Sequence, residues 1–185
     1  MKPQEFKTLQ TARLDLKPLV ATFDFANHLF DVIAKNRVFY KYIPKLSQTP
    51  NAEAEFDFLR SAEKGWKKQT KATHGMYLRK DGAFVGVCTM FDINWDTETG
   101  EIGAWVDIKY AGQGFMTEAV QTVTQEFLDM GFKRIVIRAN PDNIASCKIA
   151  EKCGFEREGV LRSCEFNPCL NRREDFVVFS KINDK

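Results

Sequence analysis

Hydrophobic and polar positions change step several times along this chain, and each change marks an element. Leu14 and Leu16 alternate with Asp15 and Lys17, a short first strand closed by Pro18. Over residues 21–35 the apolar positions Phe25, Leu29, Val32 and Ile33 fall near one face of a helix. Residues 36–48 have no clear period. Thr49 is placed to cap the next helix, with Pro50 at its first position and Glu53 and Glu55 near its positive end. Ala54, Phe58, Ala62 and Trp66 make its apolar side. Strands follow at residues 75–79 and 84–92, joined through Asp81-Gly82, a hairpin dipeptide. Ile102, Ala104, Val106 and Ile108 then alternate with Gly103, Trp105 and Asp107 as a half-buried strand. At Met116 the step becomes helical, through Val120, Val123, Phe127 and Met130, and Gly131 suits the C-terminal cap. Ile135 and Ile137 mark another strand, Asp142 or Asn143 caps a short helix ending near Gly154, and strands at 155–166 and 176–181 flank a turn-prone stretch. This pattern alone supports α/β or α+β.

The most informative junction is Lys109-Tyr110-Ala111-Gly112-Gln113-Gly114-Phe115-Met116-Thr117, where strand passes into helix through two glycines. A glycine has no Cβ to keep a ligand from the backbone, and the first amides of a helix lack internal partners and attract anions. The junction therefore points to a ligand carrying phosphate. A dinucleotide fingerprint needs a third glycine where Thr117 stands, and a P-loop needs Gly-Lys-Ser/Thr where Gly114-Phe115-Met116 stands. A glycine turn that merely joins strand to helix is the plainer alternative.

The same junction resembles the pyrophosphate loop of the GNAT superfamily of N-acetyltransferases, [R/Q]-x-x-G-x-[G/A], with Lys109 in place of the preferred Arg or Gln. Other stretches resemble the RimJ/RimL branch in family order. They are Ala12-Arg13-Leu14-Asp15-Leu16-Lys17-Pro18-Leu19, Gly114-Phe115-Met116-Thr117-Glu118-Ala119, Asn143-Ile144-Ala145-Ser146, and Glu151-Lys152-Cys153-Gly154-Phe155 through Glu158-Gly159 to Arg162. Arg173-Glu174-Asp175 precedes a last strand in the same way. The resemblance implies a single GNAT domain over residues 1–185, with a twisted, mostly antiparallel sheet, helices on both faces and a splayed parallel strand pair.

It implies acetyl-CoA as cosubstrate and no metal. Val106 and Ile108 would offer backbone groups to the pantetheine arm, while Gly112, Gln113, Gly114, Phe115, Met116 and Thr117 would hold the pyrophosphate. Asn143 would bond the cofactor in the gap, or serve only as a helix cap. Val106 and Ile108 also suit plain core positions. The expected reaction is direct attack of a neutral amine on the thioester, with no covalent enzyme intermediate. An α-amine, with a pKa of about 7.7–8.0 against about 10.4 for lysine, is far easier to present neutral. By position, Glu165 maps to the family's acidic base and Ser146 to the serine beside the coenzyme sulfur, while Glu158 is the rival base. Ser146 could instead only cap its helix. The acceptor expected is the N-terminal amine of a ribosomal protein or peptide. The alternatives are a small amine, such as an amino acid, aminoacyl nucleotide, polyamine or antibiotic, and a non-catalytic coenzyme A sensor.

Composition narrows the field a little further. With 185 residues, 44% hydrophobic and 28% charged, the chain suits one globular domain. A net charge of +2 gives no electrostatic case for nucleic acid. No apolar run reaches membrane-spanning length, and Met1-Lys2-Pro3-Gln4-Glu5 lacks the apolar core of a signal peptide. Five cysteines with no CxxC pair read as reduced thiols of a cytoplasmic protein. His28 and His74 lie in no cysteine-enzyme or metal signature. The resemblance allows a monomer or a homodimer. Aromatic residues in 39–42 and Trp105 are candidates for lining the acceptor side.

Overall fold

The computed structural model describes residues 1–183, except for the side chains of Val38, Phe39, Lys45 and Ser47. Phe39, one of the aromatics considered for the acceptor side, therefore lies outside the described residues. Eight strands form one sheet: β1 (Leu9–Gln10), β2 (Leu14–Pro18), β3 (Ala72–Leu78), β4 (Phe84–Asn94), β5 (Thr99–Val106), β6 (Arg134–Ala139), β7 (Glu156–Asn167) and β8 (Arg172–Ile182). Their order is β1-β2-β3-β4-β5-β6-β8-β7, antiparallel throughout except for β5 beside β6. The helices are α1 (Phe23–Asn36), α2 (Pro44–Ser47), α3 (Ala52–Lys67), α4 (Phe115–Asp129) and α5 (Ile144–Lys152).

Helices cover both faces, so the sheet separates two cores. On one side, α4 sets Phe115, Met116, Ala119, Val120, Val123 and Phe127 against Met90, Ile102, Ile135 and Ile137. On the other, Leu29 and Ile33 of α1 and Leu59 and Ala62 of α3 pack on Val87 and Trp105. Among the described residues that second core takes none from β6, β7 or β8, and Leu161 and Glu165 of β7 are exposed on this side, so half of this face stays open. Trp105, considered for the acceptor side, is a buried member of this core.

The parallel pair controls everything that follows. Among the described residues it is joined at three positions, Thr99 to Arg134, Gly100 to Ile135 and Glu101 to Val136. Beyond Glu101 the strands part, although β5 runs on to Val106 and β6 to Ala139. On its far side β5 stays paired with β4 as far as Val106 opposite Gly86, and Asp107 donates its amide to Val85 at 2.8 Å. Because backbone groups alternate in direction along a strand, those of Ile102, Ala104 and Val106 face the gap.

Several boundaries differ from the sequence expectation, each for a local reason. α3 is capped by Asn51, whose side chain accepts from the Ala54 amide at 3.0 Å, rather than by Thr49. The Thr49 carbonyl is engaged instead by the Arg37 side chain. Residues 36–48, without a period in sequence, hold a 3-10 turn at Arg37–Tyr40 and the short α2. The last hairpin is longer than expected because β8 begins at Arg172 rather than Phe176, its first residues pairing with β7 beyond a bulge between Leu161 and Glu165. Ile108 is the main correction. The strand ends at Val106, and Ile108 opens a 3-10 turn (Ile108–Tyr110) and is 44% exposed. The Asp107 carboxylate accepts from the Lys109 amide and bends the chain out of the sheet, so core packing is excluded for Ile108.

Candidate active site

Both parallel strands end on the same side of the sheet, and the two elements that follow them converge there. After β5 comes the glycine turn; after β6 come Asn140–Asn143 and α5. Ligands of sheets with parallel strands collect at such carboxyl ends. Gly112 has φ +74° and Gly114 φ +82°, a left-handed backbone that favours glycine at both places. A Cβ on Gly112 would meet nothing within 4 Å, so the space above the turn is open. Gly114 is the N-cap of α4 and contributes no side chain, which leaves the first amides of a 15-residue helix free to receive an anion. Phe115 and Met116 are buried, and any ligand contact from them runs through the main chain.

A residue not singled out from the sequence for this site supports the turn. Arg13, just ahead of β2, donates through one guanidinium nitrogen to the Gln113 carbonyl at 3.0 Å and through two others to Glu118 at 2.8 Å each. Its guanidinium also lies over the Phe115 ring, 4.4 Å from the centroid. Partial burial pushes the Glu118 carboxyl up, but the Thr11 hydroxyl, the Arg13 amide and the Arg13 guanidinium together bring it below the usual range.

Asn143 caps α5, its side-chain oxygen accepting from the Ser146 amide at 3.2 Å. Ser146 is thus not the cap. It is half-buried near the start of α5, and its hydroxyl has no hydrogen-bond partner among the described residues. Val106 turns its main-chain groups to the gap, and its carbonyl also accepts from the Tyr40 hydroxyl at 3.3 Å. Ala104 faces the gap in the same way. The period-two pattern held the signal for it, since the backbone alternates with the side chains.

The carboxylates sort themselves by environment. Glu158 lies against Arg134 at 2.6 and 2.5 Å and accepts from Ser180 at 2.7 Å. These partners hold its carboxyl down at about 2, and Arg134 opens β6, at the end away from the gap. A base must give up such partners to take a proton, so Glu158 is a poor candidate. Glu165 is exposed on β7, directly across from Glu174 on β8, and makes no hydrogen bond or ion pair among the described residues. Its charge is felt by Glu101 and Arg138. Glu101 sits on the last paired rung before the strands part, and Arg138 donates Nε to both its oxygens at 2.9 and 2.8 Å. Burial pushes the Glu101 carboxyl up; Arg138 opposes this, and Asp92 and Glu165 add to it. Nothing local in the sequence separates Glu101 from a solvated strand carboxylate.

The wall opposite is made by residues 36–42 and the tip of the β7–β8 hairpin. Asn36 bonds the Asp107 carboxylate at 2.9 Å and accepts from the Ile108 amide at 3.3 Å. Buried Asn167 donates to the Lys41 carbonyl at 2.8 Å and to buried Glu174 at 2.7 Å. Arg172 closes the network on Glu174 and Asp142, at 3.0 and 3.3 Å.

A glycine-turn helix start, an unpaired gap in a parallel pair and a second helix aimed at the same place form one arrangement. The family model "Acetyltransferase (GNAT) domain" matches it over residues 13–156. The chain belongs to the GNAT acetyltransferase family. Among curated proteins, this GNAT chain is 28% identical to the ribosomal-protein-serine acetyltransferase of Escherichia coli over 159 residues, covering 84% of this chain and 86% of the relative. It is 32% identical over 98 residues to the probable N-acetyltransferase YjcK of Bacillus subtilis, about half of each chain. Among solved structures, a microcin C7 self-immunity acetyltransferase in complex with acetyl-CoA and AMP superposes with a TM-score of 0.84 at 25% identity, over 92% of this chain and 93% of that one. RimL, a ribosomal L7/L12 α-N-protein acetyltransferase in complex with coenzyme A, shares the fold with a TM-score of 0.84 at 20% identity, over 94% and 96%. The GNAT fold and the RimJ/RimL-like character expected from the motifs are borne out. The protein is an acetyl-CoA-dependent N-acetyltransferase. No helix of the described residues is long and apolar enough to cross a membrane.

Proposed function

We propose that the acceptor is the N-terminal α-amine of a protein or peptide, with a ribosomal protein as first choice. The observation that carries this reading is the open half-face beside the gap. Glu165 stands exposed there, on the same face of β7 as exposed Leu161, so an extended chain has room to approach the carboxylates. The 28% identity to a ribosomal-protein-serine acetyltransferase, across most of both chains, supports it.

The roles follow from the chemistry. Backbone amides from Gly112 to Thr117 hold the pyrophosphate, and Ala104 and Val106 present main-chain groups to the pantetheine arm. Asn143, while capping α5, borders the same gap. Glu165 takes the proton from the attacking α-amine, directly or through one water. Glu101, raised by burial and placed at the fork of the strands, is the second candidate for that step. Ser146 supports the departing sulfur; a thiol of pKa about 8.5 needs little more than one hydrogen bond.

The test supplies acetyl-CoA and peptides with both α- and ε-amines free, following thiol release and locating the acetyl group by mass spectrometry. Acetylation at the α-amine is expected, and a preference for ε-amines overturns the reading. A small-molecule acceptor is the second reading, favoured by the AMP-bound relative. Faster thiol release with free amino acids or aminoacyl nucleotides than with peptides would establish it. Thiol release with any amine excludes a sensor without turnover.

A further inference from the structure

We propose that Arg13 is a positioning residue for the coenzyme: it aims the Gly114 amide at the pyrophosphate by holding the Gln113 carbonyl from behind. The inference rests on the assignment of the glycine turn as the phosphate site and adds a residue from outside the turn to it.

In a trans peptide the C=O of one residue and the N–H of the next point in opposite directions. The Gln113 carbonyl and the Gly114 amide belong to one such unit, so fixing the first fixes the second. Arg13 fixes the first at 3.0 Å. Two glycines with φ of +74° and +82° give the turn freedom to place this peptide elsewhere, and that freedom must be removed before the amide is a preformed donor. The guanidinium is itself held in register. Glu118, one turn into α4, takes two of its nitrogens at 2.8 Å, and the Phe115 ring lies beneath it at 4.4 Å. The Arg13 main-chain amide donates to the other oxygen of Glu118 at 2.9 Å, so strand edge, turn and helix are clamped by one pair.

The chemistry demands arginine at this position. Only a planar fork reaches a carbonyl and a carboxylate together; a lysine ammonium is a point charge on a flexible stem. Glu118 balances the Arg13 charge, so the contribution lies in direction more than in net attraction for phosphate. A Cβ on Gly114 would lie 3.4 Å from the guanidinium, which shows how closely the two surfaces meet.

The experiment compares acetyl-CoA with S-acetylpantetheine, which carries the thioester and the arm but no pyrophosphate. The quantity read is the ratio of kcat/KM for the two donors, for wild type, Arg13→Met and Arg13→Lys, with one peptide amine. Arg13→Lys keeps charge and aliphatic cover over Phe115 and guards against a variant that fails to fold. For both variants the ratio is expected to fall roughly tenfold or more, the worth of a lost hydrogen bond to a charged group, through KM for acetyl-CoA rather than kcat. A general loss of structure would lower both donors alike and leave the ratio unchanged. An unchanged ratio in both variants overturns the inference, as does full rescue by Arg13→Lys, which would reduce Arg13 to a generic charge. If wild type itself gains nothing from the pyrophosphate, the glycine turn is not the phosphate site, and the assignment beneath the inference falls instead.

Discussion

The two ends of the site are built by different means. At the phosphate end nearly everything comes from one run of residues, Gly112 to Glu118, with Arg13 supporting it from β2's approach. At the acceptor end the parts come from four places in the chain: the residues after α1, β5 at Glu101, β6 at Arg138 and the β7–β8 hairpin around Glu165 and Asn167. A site made of backbone amides at a helix start is fixed by local geometry. One made of side chains from distant strands is fixed by the whole fold and can change acceptor without changing cofactor. Such a division lets one cofactor site serve different amines.

Mutations can separate the two ends. The largest effect is expected at the acceptor end: Glu165→Gln should lower kcat by about 10²–10⁴, the span of general-base catalysis, with coenzyme affinity by calorimetry unchanged. If Glu101→Gln carries that loss and Glu165→Gln does not, proton transfer moves to the fork of the strands, and the comparison is sharpened rather than broken. Next comes Ser146→Ala, where one hydrogen bond to a charged group is removed and a ten- to hundredfold fall in kcat, about 1.5–3 kcal/mol, is expected. Donors with more acidic thiols should shrink that loss for Ser146→Ala and leave Glu165→Gln uncorrected. Gly114→Val comes third. A β-branched residue lets the free turn relax out of its left-handed backbone, and restoring it on binding costs about 1–2 kcal/mol, so calorimetry should find coenzyme A bound roughly five- to thirtyfold more weakly, before any clash with phosphate. Equal affinity for Gly114→Val and wild type would break the phosphate end of the comparison. The smallest effect on turnover is expected from Asn167→Ala. It leaves buried Glu174 short of a donor, costing about 1–3 kcal/mol of stability in urea melts, and should raise KM for the amine alone. A matching rise in KM for acetyl-CoA would show that the two ends are not separate.

The same division explains what the sequence disclosed. The glycine turn, the stripe of α4 and the Asn143 cap are local, and residues 109–131 could be read as strand, turn and helix without knowledge of the rest. Ile108 departs from the expected strand because a carboxylate one residue earlier turns the chain out of the sheet, which period-two alternation cannot register. Thr49-Pro50 looked like a helix start, but Asn51, a strong capping residue, stood one position closer to the helix. Glu158 and Glu165 are both strand carboxylates by sequence; only the partners brought by Arg134 and Ser180 set the first aside. Arg13 and Glu118 were visible as members of two motifs about a hundred residues apart. That the motifs grip each other is a property of the fold.

The forked strands carry a consequence for the mechanics of the molecule. With three rungs between β5 and β6, the eight strands are two half-sheets sharing a short seam. A pantetheine arm bonded along Ala104 and Val106 would act as the missing strand and mend that seam. Amide hydrogens of these residues should therefore exchange with solvent far more slowly in the loaded enzyme. The protein should also melt later by on the order of 2.7 kcal/mol of added stability at a hundredfold excess over Kd. The substrate would then be a structural member of the sheet for as long as it stays, and each turnover would reopen the seam.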